Sequence, residues 1–492
     1  MARSASLLWL AASAVVLARD ESAFAAQLQD IANNYSNVTG LPIQIAYVDA
    51  SLDVAVVSDV YGTAEGRAEV TVGTPFLFGS GVKPLVGARV MQLVEAGVLS
   101  LDDKAAKWMD PVLDAMNGTS FVALFGADAA DVTVGQLVRM SSGIADYDVP
   151  DVDDAVIDAA NVTSPLDILY MFPQRSQFAC KPGTCVSYSS TNFLLAGFVL
   201  LGAQGVPAAE LRALGDEAWT ALDQQLVLGK ARSSRFGATS FIDHGAMRAR
   251  GLPIPGYDGV RNGTRQQVWE QDGSILGWTC GNLLTSARDY ARFLWDLLAD
   301  PTNPIVSAAS RAAMSDVRPL DVGWAARALQ YGTGLMVQSV SRYDSHAPFR
   351  MNGTGAFLGH GGETYGFGSN SGFFPLVNAS ISVALAQTDI AQDVGGSPSR
   401  AQCNVLEAAA LLLHGQRVSL GCSGPEQRYS CVPGGPNATK ALGQCVQDHR
   451  GVHRECEAVP NTANTCKMDP GGSGSAALAA SAVGRPRMLH TV

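Results

Sequence analysis

Two apolar, β-branched runs, Pro42 to Asp49 and Val54 to Tyr61, flank a turn and predict an N-terminal β-hairpin. Further on, an apolar-periodic run from Val86 to Ala96 predicts a buried helix that begins close to Ser80. From about Leu101 to Asp289 the pattern is that of helices and loops, with Ala-, Leu- and Asp-rich periodic stretches such as Asp216 to Leu228. Within it, residues 229–275 carry many Gly, Pro and Arg with little periodicity and predict a long surface excursion. Strand patterns return at Gly332 to Val340, Phe357 to Gly359, Gly372 to Leu376 and Ile381 to Gln387, and Asn404 to His414 predicts a closing helix. This order predicts an α/β (α+β) chain: an antiparallel sheet flanked by helices, with an all-helical lobe at about 101–289 inserted in it.

The two ends differ in character from this body, which is expected to occupy residues 26–416. Arg3, the short apolar run Leu7 to Ala18 and the small residues around Ala23-Phe24-Ala25 predict a signal peptide over residues 1–25, with a break after Ala18 as the competing choice. No segment reaches the length needed to span a bilayer. After Gly421, Cys422, Cys431, Cys445, Cys456 and Cys466 stand among Gly, Pro, Asn and Thr. That predicts a Cys-rich appendage over 417–468, stapled with Cys403 into three disulfides. Cys445, His449, His453 and Cys456 resemble a zinc cluster only superficially, because the chain has no Cys-x-x-Cys. The tail, 469–492, is Gly/Ser/Ala-rich and expected to be disordered.

The chain has 492 residues, 47% hydrophobic and 16% charged, ample for a large core. A net charge of −11 without a basic patch argues against nucleic acid as a partner. Nine cysteines, and Asn-x-Ser/Thr sequons beginning at Asn34, Asn37, Asn117, Asn161, Asn262, Asn352, Asn378 and Asn437, point to a eukaryotic secretory pathway and an extracellular or lumenal location. Nine is odd, so one thiol is left over. Cys180 and Cys185, bracketing Lys-Pro-Gly-Thr, predict a tight local disulfide, and Cys280 is the expected unpaired, buried thiol.

Chemistry enters with Ser80-Gly81-Val82-Lys83. A serine and a lysine three apart at a helix start share one face, which brings a potential nucleophile to a potential proton acceptor. Val186-Ser187-Tyr188-Ser189-Ser190 then heads a second apolar helix, and Gly359-His360-Gly361-Gly362-Glu363 offers a glycine-rich strand that a substrate could approach closely. Plainer roles are open to each: a helix cap for Ser80, a core aromatic for Tyr188, a turn for His360-Gly361-Gly362. An α/β-hydrolase esterase is excluded, since no Gly-x-Ser-x-Gly elbow occurs. Asp102, Asp103 and Asp289 read as capping and structural residues.

Ser-x-x-Lys, then Tyr-x-Ser, then His-x-Gly, in that order, resembles the site of the penicillin-recognising serine hydrolases. The branch is that of class C β-lactamases, D-amino-acid-specific serine peptidases and β-lactamase-like esterases. Leu93 to Asp103, Val132 to Ile144 and Cys280 to Arg292 are similar to further segments of that family. The resemblance implies a β-lactamase/transpeptidase-like fold with the site in a cleft between lobes, and a serine acyl-enzyme formed without metal or cofactor. It assigns catalysis to Ser80, Lys83 and Tyr188, with Tyr188 sharing the proton or acting as phenolate base. It assigns substrate and oxyanion contacts to Ser190, His360, Gly361, Gly362 and Glu363, the oxyanion donors being the N–H of Ser80 and one N–H of the Gly361-Gly362-Glu363 strand. Ser190 stands where the family commonly has Asn, and His360 where β-lactamases have Lys. A histidine there is expected to be charged only below neutrality, which favours ester, amide or peptide substrates over β-lactams. The expected substrate is a small-molecule or peptide ester or amide, and the oligomeric state is left open. The rival readings are a catalytically silent binding protein on the same fold, and a true β-lactamase.

Overall fold

The computed structural model describes residues 19–422 apart from 60–68, 150–151, 153–161, 173, 208–209, 211–226, 228–234, 243, 259–265, 303, 324–325, 328, 342, 344–352 and 389–397; beyond 422 it describes only 442–443, 454–457 and 465–468. The helix expected at Asp216 to Leu228, the zinc-like quartet and the tail therefore lie largely or wholly outside the described residues.

The N-terminal hairpin is present as β1 (Ile43–Val48) and β2 (Asp53–Val57). It joins strands from the other end of the chain: β3 (Arg318–Pro319), β4 (Gln330–Tyr331), β5 (Met336–Ser339), β6 (Ala356–Thr364), β7 (Phe367–Phe374) and β8 (Ala379–Leu385). The eight form one antiparallel sheet in the order β2-β1-β8-β7-β6-β5-β4-β3. Alternate residues of β1 face opposite layers, as the two-residue period of a strand requires. Ile43, Ile45 and Tyr47 pack in one cluster with helices α1 (Glu21–Thr39) and α7 (Pro398–His414), while Ala46 and Val48 join the larger core on the other side.

On that other side lie α2 (Lys83–Glu95) and α6 (Ala287–Leu298), with α3 (Ala105–Asn117), α4 (Val134–Val138) and α5 (Ser190–Ala203) in the helical part. Helix α5 buries all but two of its fourteen residues, Gly197 and Gly202 being the exceptions, so its apolar run is continuous rather than striped.

Three expectations are corrected here. Folded structure begins ahead of the boundary set at residue 25: Asp20 caps α1, Arg19 pairs with Asp49 at 2.8 Å, and Phe24 is 0% exposed against the Tyr47 ring. The described residues within 229–275 are not a surface excursion, since Phe236, Phe241, Ile242, Met247, Leu252, Ile254 and Val268 are buried and Ser240–Phe241 pairs with Leu283–Leu284. These apolar side chains enter the core singly, from loops, and so leave no periodic trace in the sequence. The body also extends past residue 416: Leu420 is buried and bonded through its N–H to Glu407, and Cys422, the first of the C-terminal cysteines, pairs with Cys403 as one of the expected staples.

Candidate active site

Phe76–Leu77 pairs with Leu284-Thr285, after which Gly79 takes a φ of +48° and starts a single 3-10 turn, Gly79–Val82. Ser80 lies in this turn, not in the α-helix, which begins at Lys83 with Pro84 in its first turn. Side chains three apart eclipse one another on a 3-10 turn. Lys83 Nζ accordingly donates to Ser80 Oγ at 2.7 Å, and also to the carbonyl oxygen of Cys280 at 2.7 Å. The lysine is 0% exposed and lies over the rings of Tyr188 and Phe193 at 5.3 and 5.7 Å.

Cys280 closes the short turn Trp278–Cys280, in which Trp278 has a left-handed φ of +48°. Such a backbone is unfavourable for a bulky residue and persists only when its surroundings hold it. Here it aims a carbonyl at Lys83. The Cys280 thiol is unpaired and buried, as expected; it contacts Tyr147 Oη at 2.9 Å, and burial pushes its pKa up to about 12.

Tyr188 Oη donates to Ser80 Oγ at 2.9 Å, so serine, lysine and tyrosine meet at one oxygen. The tyrosine is placed by the start of α5, which is stitched to the segment 142–147. Ser190 N donates to Asp146 Oδ1 at 2.8 Å, Tyr147 N to Thr191 Oγ1 at 2.9 Å, and the Ser189 and Thr191 hydroxyls to the Ala145 carbonyl at 3.2 and 2.8 Å. The N-cap residue Ser189 makes no side-chain cap bond; the carboxylate of Asp146 takes that role from far upstream.

Strand β6 carries His360, Gly361, Gly362 and Glu363. Its pairing with β5 ends at Gly359, so beyond that point its edge faces the Ser80 turn instead of another strand. Glycine is required at this approach: a Cβ on Gly79 would lie 2.5 Å from the Glu363 carbonyl oxygen, and one on Gly362 would collide with the Phe78 carbonyl. His360 is 1% exposed, and its Nε2 lies 3.1 Å from Tyr331 Oη while Nδ1 meets the Gly361 carbonyl. The network assigns the proton to Nδ1, leaving Nε2 to accept from Tyr331. Burial, reinforced by the nearby Lys83, pushes the imidazole pKa down to about 3. The expectation that His360 gains charge just below neutrality is thereby corrected: burial keeps it a neutral hydrogen-bonding group well below pH 6.5.

Ser80, Tyr188, Ser190, His360, Gly361 and Glu363 all border one cavity of about 320 Å³, with Gly362 beneath it against Phe78. Lys83 is bonded to Ser80 and Cys280 and not to Ser190. The sequence reading missed three contributors: the Cys280 carbonyl, Asp146 and Tyr331. Cys280 and the stretch to Ile144 fall in or beside segments already singled out, but a carbonyl has no side-chain signature, and Tyr331 sits in a two-residue strand. Asp103 and Asp289 act structurally, accepting from the backbone N–H of Ser100 and Gly237. Among the described residues no group of three metal-ligating side chains occurs.

The fold and this Ser80–Lys83–Tyr188 centre define a class, the serine hydrolases built on the β-lactamase/transpeptidase fold. Residues 43–401 match the family described as Beta-lactamase, and the chain belongs to that family. It is 29% identical over 280 residues to penicillin-binding protein 4 of Amycolatopsis lactamdurans, a stretch covering 54% of this chain and 64% of that protein. Among solved structures it is similar to a D-stereospecific amidohydrolase from Streptomyces sp. (TM-score 0.55, 21% identity, 78% of this chain and 98% of that one). It is also similar to the D-amino acid amidase of Ochrobactrum anthropi SV3 in complex with D-phenylalanine (TM-score 0.59, 17% identity, 78% and 99%). A third likeness is to the octameric penicillin-binding protein homologue of Pyrococcus abyssi (TM-score 0.56, 21% identity, 80% and 78%).

Proposed function

We propose that this protein is an exported serine hydrolase that cleaves small esters or amides through an acyl-enzyme on Ser80. The observation that carries the reading is the meeting of Lys83 Nζ and Tyr188 Oη at Ser80 Oγ, on the wall of a cavity. As Ser80 Oγ attacks the substrate carbonyl carbon, its proton passes to the Lys83–Tyr188 pair, and the carbonyl π-electrons move to oxygen. The Ser80 N–H and an N–H on the free edge of β6 are the donors proposed for that oxyanion. Collapse expels the alcohol or amine, which takes the proton from the same pair. Water then attacks the ester of Ser80 and gives its proton to the pair; as the C–Oγ bond breaks, Ser80 Oγ takes that proton back and the acid is released.

A penicillin carries a carboxylate, and the neutral His360 supplies no charge to hold it; this favours esters or amides over β-lactams. Export is supported by the apolar run Leu7 to Ala18, by the disulfides Cys180–Cys185 and Cys403–Cys422, and by the exposure of the sequon asparagines Asn34, Asn37, Asn117 and Asn378. The test is a fluorophosphonate probe followed by peptide mapping. The adduct is expected on Ser80 and lost in Ser80→Ala; an intact protein that the probe never labels would favour the silent binding protein.

A further inference from the structure

Tyr290 does not border the Ser80 cavity, yet its hydroxyl reaches the turn that carries Ser80. It lies in α6, is 1% exposed, and packs its ring against that of Phe78 with the centroids 4.9 Å apart. Its Oη donates to the Gly81 carbonyl at 2.6 Å, and burial pushes the phenol pKa up, so the hydroxyl stays a neutral donor. That carbonyl needs an outside partner for a local reason. On a 3-10 turn such as Gly79–Val82, a carbonyl accepts from the N–H three residues on, as that of Ser80 does from Lys83. The residue three beyond Gly81 is Pro84, which has no N–H. The hydrogen-bond ladder of α2 starts one residue later, with the carbonyl of its N-cap, Val82. Tyr290 supplies the donor that the main chain lacks.

We propose that Tyr290 is a positioning residue of the oxyanion site, holding the Ser80 turn through Gly81 so that the Ser80 N–H points at the substrate carbonyl oxygen. The proposal rests on the reading of Ser80 as nucleophile. Other peptide groups of the turn are tied from within or from the neighbouring strand: Phe78 N–H to the Leu283 carbonyl at 2.9 Å, Gly81 N–H to the Phe78 carbonyl at 2.8 Å, and Lys83 N–H to the Ser80 carbonyl. With the Gly81 carbonyl held as well, the peptide between Gly79 and Ser80 is flanked by fixed neighbours on both sides. The helix that carries Tyr290 is itself anchored to the sheet. Ala287 N donates to Gln44 Oε1 at 3.0 Å, and Arg288 and Arg292 reach Asp53 at 3.1 and 2.6 Å. The Ser80 N–H is thus referenced to the same sheet whose strand β6 carries the other proposed donor. Two donors converge on one oxygen only if a single rigid frame holds both.

Tyr290→Phe keeps the ring and deletes only the hydroxyl. The test compares p-nitrophenyl butanoate with its thiono analogue, in which sulfur replaces the carbonyl oxygen. Sulfur is larger and a poorer hydrogen-bond acceptor, so the oxygen-to-sulfur ratio of kcat/KM reads the oxyanion donors. A misplaced nucleophile or a looser fold slows both esters alike and leaves the ratio unmoved. In Tyr290→Phe the ratio should fall at least roughly tenfold, less than the hundredfold or more that loss of a whole donor costs. Pro84→Ala returns an N–H three residues beyond Gly81, so Pro84→Ala/Tyr290→Phe should recover the ratio. This double variant carries the test if the single one does not fold. A ratio unchanged in folded Tyr290→Phe, or one that stays low in the double variant, overturns the proposal. Failure of the fluorophosphonate probe to label Ser80 in the wild-type protein would instead remove the hydrolase reading on which it rests.

Discussion

Ser80 Oγ receives hydrogen bonds from two groups at once, and the consequences can be read residue by residue. Lys83→Ala and Tyr188→Phe should each lower the acylation rate at least about a hundredfold, the usual worth of positioned proton transfer. Because both act on one proton, the double variant should lose little beyond the worse single one; losses that multiply would show independent roles. His360 makes a contrasting prediction. With its pKa near 3, it stays neutral from pH 7.5 to 6, so the preference for short p-nitrophenyl esters over nitrocefin should exist and should not narrow through His360 in that interval. Rate profiles for both substrates would expose any such convergence. The same depressed pKa has a stability consequence. The unfolded chain takes up a proton at His360 near pH 6.5 and the folded one does not until about 3, so this group's contribution is intact above 6.5 and is lost as pH falls toward 3.

Elements carry the placement of these residues. Helix α5 is capped by a side chain from segment 142–147, so Asp146→Ala should cost about 1 kcal/mol as an N-cap loss and loosen Tyr188, measurable by denaturant unfolding. At the N-terminus, α1 depends on Asp20 for its cap and on Phe24 for its docking against Tyr47. If the leader is removed in export, intact mass should place the new N-terminus at Arg19 rather than Ala26, because the later cut removes both. A chain beginning at Ala26 should lose about 3–5 kcal/mol, the cost of deleting a buried aromatic ring. Full stability of such a chain would show that the docking of Phe24 contributes nothing.

At the scale of the molecule, the sheet is completed by both ends of the chain, with β1 paired to β8 and α1 lying against α7. The C-terminal limit of the functional body follows from this. A chain ending after Cys422 should keep both probe reactivity and melting temperature. One ending at Gln416 should keep reactivity but melt lower, because it leaves Cys403 unpaired and removes the buried Leu420. A folded 1–422 chain that fails to react would show that the region beyond it shapes the site.

Much was legible in the sequence for a simple reason: it concerned residues close together in the chain. The Ser80–Lys83 pairing follows from a three-residue spacing, the Cys180–Cys185 bridge from a tight turn, and strands β1, β2 and β8 from runs of β-branched residues. The order of strand and helix patterns along the chain pointed to the antiparallel α/β architecture, and the resemblance carried by the three motifs implied the same one. What the tertiary structure alone decided concerns environment and main-chain atoms. A histidine's charge depends on what buries it, and His360 is desolvated beside Lys83 by strands and helices remote in sequence. The anchor for Lys83 is a carbonyl, which every residue possesses, so only the turn at Trp278–Cys280 singles it out. Asp146 looked like any acidic loop residue until folding fixed one of its oxygens on the backbone at the head of α5 and set the residue on the wall of the Ser80 cavity.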